Sequence, residues 1–269
     1  MNFKNQDFNL VHTFECGQCF RWDMNDDGSY TGVVDDNVIN ITQNDSCFNV
    51  DCEDIDLIND YFDLKRDYSE IKSTLSVADD VLTKAVPQGY GIRLLKQNPW
   101  ETLVSFIISA NNNIPRIKKI INSLCQNFGK EIKNGYYSFP DAERLKDVKK
   151  EELAFLRAGY RDSYLCDAIS KVVSKEVNIE TLNELSTQEA KRELLKIKGI
   201  GNKVADCILL FGNRRREIFP VDVWVKRSVA TLYSEEIGEM EIHSFAQKKF
   251  GDFAGYAQQY LFYYMRENS

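Results

Sequence analysis

The sequence predicts an α+β fold, a small antiparallel sheet domain followed by a larger all-helical domain. Three observations predict it. Residues 1–63 hold short β-prone runs separated by turn-forming residues. From about Asp67 the apolar residues recur at helical rather than alternating spacing. Near residue 200, two helical patterns meet across Lys198-Gly199-Ile200-Gly201-Asn202, a turn built for a tight backbone. With 269 residues, 43% of them hydrophobic, the chain can bury one large core or two.

In the expected sheet domain, residues 1–98, the strands are Phe20-Arg21-Trp22, Tyr30-Thr31-Gly32-Val33-Val34 and Val38-Ile39-Asn40-Ile41. Asn25-Asp26-Asp27-Gly28 and Asp35-Asp36-Asn37 supply the turns of a meander. Flanking helices follow: Leu75, Val77, Val81, Leu82, Ala85 and Val86 precede a break at Pro87-Gln88-Gly89. The helical domain, residues 99–269, opens at Pro99. Trp100, Leu103, Val104, Phe106, Ile107 and Ile108 are too apolar to lie anywhere but in the central core. Ile117, Ile120, Ile121 and Leu124 continue in a helix to Gly129, and helical patterns fill 141–175, 187–197, 203–212, 222–235 and 242–266.

Bulk properties exclude several classes. No run approaches the roughly 20 apolar residues needed to span a bilayer, and the first residues carry no signal or transit pattern, so an intracellular location in the cytoplasm or nucleoid is expected. Cys16 and Cys19 form a CxxC, but no second pair completes a zinc set; reduced, mostly buried thiols are expected at all seven cysteines. A net charge of −7 argues against a nucleic-acid partner until its distribution is read. Residues 1–63 carry fourteen Asp/Glu against two Lys/Arg, and residues 191–227 ten Lys/Arg against four Asp/Glu. Only the local field touches a phosphate. Arg214-Arg215-Arg216 either adds to a basic face or is a solvated loop.

The turn at 198–203 carries the chemistry. Glycines at 199 and 201 let the backbone take positive φ and expose successive N–H groups at a helix N-terminus, an anion site. No strand precedes it, so the anion need not belong to a nucleotide cofactor. Lys203 opens the second helix, and Asp222 follows in Pro220-Val221-Asp222-Val223 at the start of another apolar run.

This combination resembles the helix-hairpin-helix DNA glycosylases, and among them the 8-oxoguanine DNA glycosylase family. Hairpin, Lys203, Cys207 and Asp222 occur in one order and spacing. The resemblance extends to Gly17-Gln18-Cys19-Phe20-Arg21-Trp22, Leu94-Leu95-Lys96-Gln97-Asn98-Pro99, the asparagine turn Ser109-Ala110-Asn111-Asn112-Asn113-Ile114-Pro115-Arg116, Gly159-Tyr160-Arg161, and Gly255-Tyr256-Ala257-Gln258-Gln259-Tyr260-Leu261-Phe262. It implies excision of 8-oxoguanine from duplex DNA, preferably opposite cytosine, with strand cleavage through a lysine Schiff base. Lys203 would be the nucleophile and Asp222 the charge facing C1′. Gly17, Cys207, Gln258 and Phe262 would form the base pocket. Asn111, Arg116 and Arg161 would read the estranged cytosine while Tyr160 fills the vacated stack. Gly199, Gly201 and Trp224 would meet phosphate, Trp224 standing where many relatives place a histidine.

The chemistry so implied requires no cofactor or metal, and the protein is expected to act as a monomer on double-stranded DNA. Two rival readings remain: a glycosylase/lyase for other damaged bases, such as oxidised pyrimidines or formamidopyrimidines, and a non-enzymatic hairpin module that senses damage. Lys203 with Asp222 argues against the module.

Overall fold

The computed structural model describes residues 1–233 and 238–268. Its sheet has five antiparallel strands: β1 (Asn2–Lys4), β2 (Trp22–Met24), β3 (Tyr30–Val34), β4 (Asn37–Gln43) and β5 (Cys47–Val50), in the order β1-β5-β4-β3-β2. The Asp35-Asp36 turn sets Val33 opposite Val38 and Tyr30 opposite Ile41, as the meander predicts. Strands β1 and β5 and a five-residue helix, α1 (Leu10–Phe14), were not legible in the sequence; each is shorter than the window in which a period can be read. Trp22 anchors this core, stacked on Phe14 at 4.2 Å between ring centroids and donating from Nε1 to the Tyr61 hydroxyl at 2.8 Å.

Three helices follow the sheet: α2 (Ile55–Tyr61), α3 (Tyr68–Ala78) and α4 (Asp80–Gln88). The expected break at Pro87-Gln88-Gly89 is found there: α4 carries Pro87 in its last turn and ends at Gln88, with Gly89 as C-cap. The proline withholds the N–H that would bond the Thr83 carbonyl, and the helix ends one residue later. Then come α5 (Pro99–Ser109) and α6 (Ile114–Phe128), a hairpin of β6 (Glu131–Lys133) and β7 (Tyr136–Tyr137), and α7 (Arg161–Val173). The helical reading of 141–175 is corrected accordingly: turns and a 3₁₀ segment at Lys150–Leu156 precede α7, because Arg157 and Gly159 adopt positive φ there. The remaining helices are α8 (Thr187–Leu194), α9 (Asn202–Phe211), α10 (Val223–Leu232), α11 (Glu239–Phe250) and α12 (Ala254–Glu267). The expected extension of α10 to 235 falls partly outside the described residues.

As its composition requires, α5 is the central helix, with every residue from Thr102 to Ile108 buried. Asn98 caps it by accepting from the N–H groups of Trp100 and Glu101 at 2.9 and 3.2 Å. Two cores result. One lies under the sheet; the other, much larger, joins α5–α12 with α3 and α4. Among the described residues no helix is long and apolar enough to cross a membrane.

Charge joins the two parts. The Arg214-Arg215-Arg216 run is neither a phosphate face nor a solvated loop: Arg214 pairs with Asp60 at 2.8 Å, Arg216 with Asp63 at 3.2 Å, and Arg215 donates to the carbonyls of Leu182 and Leu185. Arg93, 3% exposed, bonds the carbonyls of Asp63 and Gln6. Part of the acidic-to-basic asymmetry of the sequence is therefore spent within the molecule, holding the sheet domain to the helices. These partly buried pairs are worth more than open surface bridges because water screens them less.

Candidate active site

The hairpin between α8 and α9 is built from both flanks. Ser186 accepts from the Glu189 N–H while the Glu189 carboxylate accepts from the Ser186 N–H, a reciprocal cap that starts α8. Lys191 on α8 pairs with the buried Asp206 on α9 at 2.7 Å. From α7, Asp167 accepts the Lys198 backbone N–H at 2.7 Å, and Lys171 donates to the Lys196 carbonyl.

The two glycines differ. Gly199 has φ +87° and lies so close to Tyr164 that a Cβ would sit 2.2 Å from its ring. Gly201 is not left-handed, contrary to expectation: it is extended (φ −98°, ψ −178°), and a Cβ there would meet nothing within 4 Å. As N-cap of α9 it leaves the first N–H groups of that helix directed outward. Gly199→Ala is accordingly expected to destabilise the fold by about 2–4 kcal/mol, left-handed strain plus overpacking, whereas Gly201→Ala shifts a urea midpoint hardly at all.

Lys203, one residue into α9, is half-buried with Nζ 5.3 Å from the centroid of the Phe106 ring. Asp222 caps α10, its carboxylate accepting the Val225 N–H at 2.8 Å. Burial raises the Asp222 carboxyl above its ordinary range, and the Val225 N–H and Lys203 only partly offset that. Cys207, 3% exposed, is pushed up to about 11 by burial, which the nearby Lys203 only partly offsets, and stays a thiol at neutral pH.

Lys203 and Asp222 open on one cleft of about 800 Å³, walled by Gly17, Phe106, Asn111, Trp224 and Phe262. Beneath it lies an inner pocket of about 50 Å³, reached by the same two residues and lined by Gly17, Cys207, Gln258 and Phe262. That volume has room for only a few waters, so a purine enters only if a wall moves. Gly17 has φ +79°, and a Cβ built on it would lie 3.5 Å from the Phe262 ring. Gln258 is 4% exposed and accepts from the Gln259 amide at 2.8 Å. All four residues expected in the base pocket thus meet around one void.

The expected readers of the opposite strand are arranged unevenly. Asn111 is exposed at the turn with φ +50°. Tyr160 is 51% exposed beside it, its hydroxyl 3.3 Å from the Ala110 carbonyl, and suits a wedge. Arg161 does not reach into open space. It is 3% exposed, and its guanidinium donates to the carbonyls of Ala110, Asn111 and Ala158. Those bonds make it a brace that holds the asparagine turn against α7. Arg116 is exposed, with Nη2 bonded to the Arg157 carbonyl at 2.9 Å. Trp224 lines the cleft with the Arg227 guanidinium 5.3 Å over its ring.

Sequence reasoning missed Arg266, which also lines the cleft. The available signal was spacing: Arg266 is four residues beyond Phe262 and so shares its face of α12.

The chain is similar to known proteins in sequence and in fold. Residues 1–103 match the family of the 8-oxoguanine DNA glycosylase N-terminal domain, and residues 104–250 match the HhH-GPD superfamily of base excision DNA repair proteins. The N-glycosylase/DNA lyase of Saccharomyces cerevisiae is 30% identical over 94% of this chain and 82% of its own length. The solved structure of MBOgg1 with a low-affinity DNA ligand is 48% identical, with a TM-score of 0.96 over 99% of this chain and 95% of that one. The Clostridium acetobutylicum 8-oxoguanine glycosylase/lyase, solved with duplex DNA carrying cytosine opposite 8-oxoguanine, is 39% identical, with a TM-score of 0.93 over 100% of this chain and 98% of that one. Family matches and fold agree, and the chain belongs to the 8-oxoguanine DNA glycosylase family of helix-hairpin-helix base-excision repair proteins.

Proposed function

We propose that this protein excises 8-oxoguanine opposite cytosine in duplex DNA and then cleaves the strand, with Lys203 as nucleophile. The observation that carries the reading is the meeting of Lys203 and Asp222 in one cleft above the pocket of Gly17, Cys207, Gln258 and Phe262. Stacking hides C1′ inside a duplex, so the nucleotide is first flipped outward. The Lys203 amine attacks C1′ as the glycosidic bond breaks and the base departs with its electron pair. The aminal opens at the ring oxygen to a Schiff base. That imine acidifies C2′; loss of its proton forms the C2′–C3′ double bond and expels the 3′ phosphate. The Asp222 carboxylate stabilises positive charge that develops on the sugar.

In the pocket, the Gly17 carbonyl accepts the N7–H that 8-oxoguanine has and guanine lacks. Phe262 and Cys207 lie on opposite faces of the base, and Gln258 reads its Watson–Crick edge. The neutral Cys207 thiol suits an apolar face. Gly199 and Gly201 offer hairpin N–H groups to phosphate, and the Trp224 indole N–H adds a donor without charge. The protein works as a monomer inside the cell, without a metal or cofactor.

Incubation with duplexes that hold 8-oxoguanine, formamidopyrimidine, an oxidised pyrimidine or an abasic site, with and without borohydride, tests the substrate. Comparable excision of the oxidised pyrimidine would replace this reading with the broader one. Cytosine preference is expected to run through Arg116 and Asn111, whose donors match cytosine's N3 and O2; adenine's N6 amino group would leave a donor facing a donor. Arg116→Ala should lower single-turnover excision opposite cytosine by about tenfold and leave adenine-paired lesions nearly unchanged. Equal losses opposite both bases would assign Arg116 to phosphate instead.

A further inference from the structure

The loop that carries Gly17 is bolted down on two sides by different means. On its inner side Gln18 is fully buried. Its amide donates to the carbonyls of Thr13 at 2.9 Å and Arg93 at 2.7 Å and accepts the Leu95 N–H at 3.0 Å. Its own carbonyl accepts from Gln97 at 2.7 Å. Nothing in that set touches the far wall of the base pocket. On the cleft side Arg266 does both jobs. Nη1 donates to the carbonyl of Glu15, two residues before Gly17, while the guanidinium carbon lies 5.9 Å from the centroid of the Phe262 ring and 5.4 Å from that of Tyr263. The Glu267 carboxylate accepts from Nε and Nη2 at 3.2 and 3.0 Å, which turns the planar group to meet both partners.

Gly17 and Phe262 both line the pocket that the flipped base must enter, and a Cβ built on Gly17 would lie only 3.5 Å from the Phe262 ring. One side chain therefore ties the segment before Gly17 to the wall that carries Phe262. We propose that Arg266 is a positioning residue for lesion recognition: by holding the Glu15–Gly17 segment and the Phe262 ring in one frame, it sets the spacing at which the Gly17 carbonyl meets N7 of the base. The inference rests on the pocket assignment above and deepens it.

The physical argument concerns discrimination rather than binding. 8-Oxoguanine and guanine differ at this carbonyl by a single N–H donor, and a hydrogen bond weakens steeply when distance or angle drifts. A loop free to retreat would admit either base with nearly equal strength. A frame that keeps the Gly17 carbonyl in register with the Phe262 ring makes guanine's bare N7 face the carbonyl oxygen with no proton between them. Arginine suits the task because its planar fork donates and stacks at once, which an ammonium on a flexible stem cannot do.

Arg266→Ala and Arg266→Lys, each combined with Lys203→Gln so that no turnover occurs, are tested for equilibrium binding to two duplexes identical except for 8-oxoguanine or guanine opposite cytosine. The expected result is a fall of about tenfold in the affinity ratio for Arg266→Ala, with Arg266→Lys between it and the parent. Most of the change should lie in the lesion duplex. A parallel loss on both duplexes would make Arg266 a structural or phosphate-binding residue and overturn the proposal, as would an unchanged ratio. If Arg266→Ala does not fold, the lysine variant decides alone. A Lys203→Gln parent that does not discriminate between the two duplexes overturns the pocket assignment as well. Discrimination in the parent that survives in the variant overturns only the role of Arg266.

Discussion

Lys203→Gln is expected to abolish the borohydride-trapped adduct and to lower strand cleavage at 8-oxoguanine by on the order of 10⁴-fold or more, because removal of a covalent nucleophile removes the route and not one contribution to it. Affinity for lesion duplex should remain within severalfold of the parent. The hairpin N–H groups do not depend on that side chain, and the substituted glutamine would remain beside Phe106, over whose ring Nζ now lies at 5.3 Å. The measurement is gel separation of cross-linked protein after reduction, paired with fluorescence anisotropy for binding. An adduct of undiminished yield would move the nucleophile to another amine. A rival amine in the cleft, Lys226, stands in the first turns of α10 and also lines the void. Lys226→Gln is therefore the matched control and should leave the adduct intact.

The second large effect is expected at Asp222. An asparagine in its place would still cap α10, since asparagine caps nearly as well as aspartate, but would present no charge to the sugar. Asp222→Asn should therefore reduce the single-turnover excision rate by about 10²–10³-fold, the usual cost of losing one preorganised electrostatic contact in a closed site. The pH dependence follows from burial. Because the carboxyl is raised in the folded protein, the acid limb of the rate profile should lie above the ordinary carboxylate range, with rate rising as Asp222 ionises. The limb should vanish in the asparagine variant. The same shift fixes the sign for stability. A carboxyl whose folded value lies above its unfolded value stabilises the fold at low pH and loses that contribution as pH rises through the folded value. At neutral pH, then, Asp222→Asn is expected to be neutral or stabilising, and a loss of rate with an unchanged or higher melting temperature would separate catalysis from capping. A variant that melts earlier and loses rate in proportion would make Asp222 a cap alone.

The sequence by itself determined the class of the fold, the central place of α5 and the composition of the site. Those follow from local rules. Alternation with turn residues specifies a meander, a helix apolar around most of its circumference must be surrounded, and a glycine turn between helices with Lys203 and Asp222 at fixed offsets leaves few alternatives. It also determined that Gly17, Cys207, Gln258 and Phe262 belong together, though only through resemblance; the tertiary structure gave the reason by folding three distant segments around one void.

What only the tertiary structure decided is where charge and arginine go. Arg214, Arg215 and Arg216 look like a phosphate face in one dimension, and in three they meet Asp60, carbonyls at 182 and 185, and Asp63. Arg161 looks like a reader of bases and is a buried brace. Arg266 carried no motif and spans the pocket walls. The physical reason is common to all three. A guanidinium has five donors and a long reach, so its partner is set by whatever carbonyl or carboxylate the fold brings within that reach. Sequence spacing does not encode such distances. Likewise Asp222 titrates by its burial, a property of the closed cleft, and not by the cap bond that its position in the sequence announces.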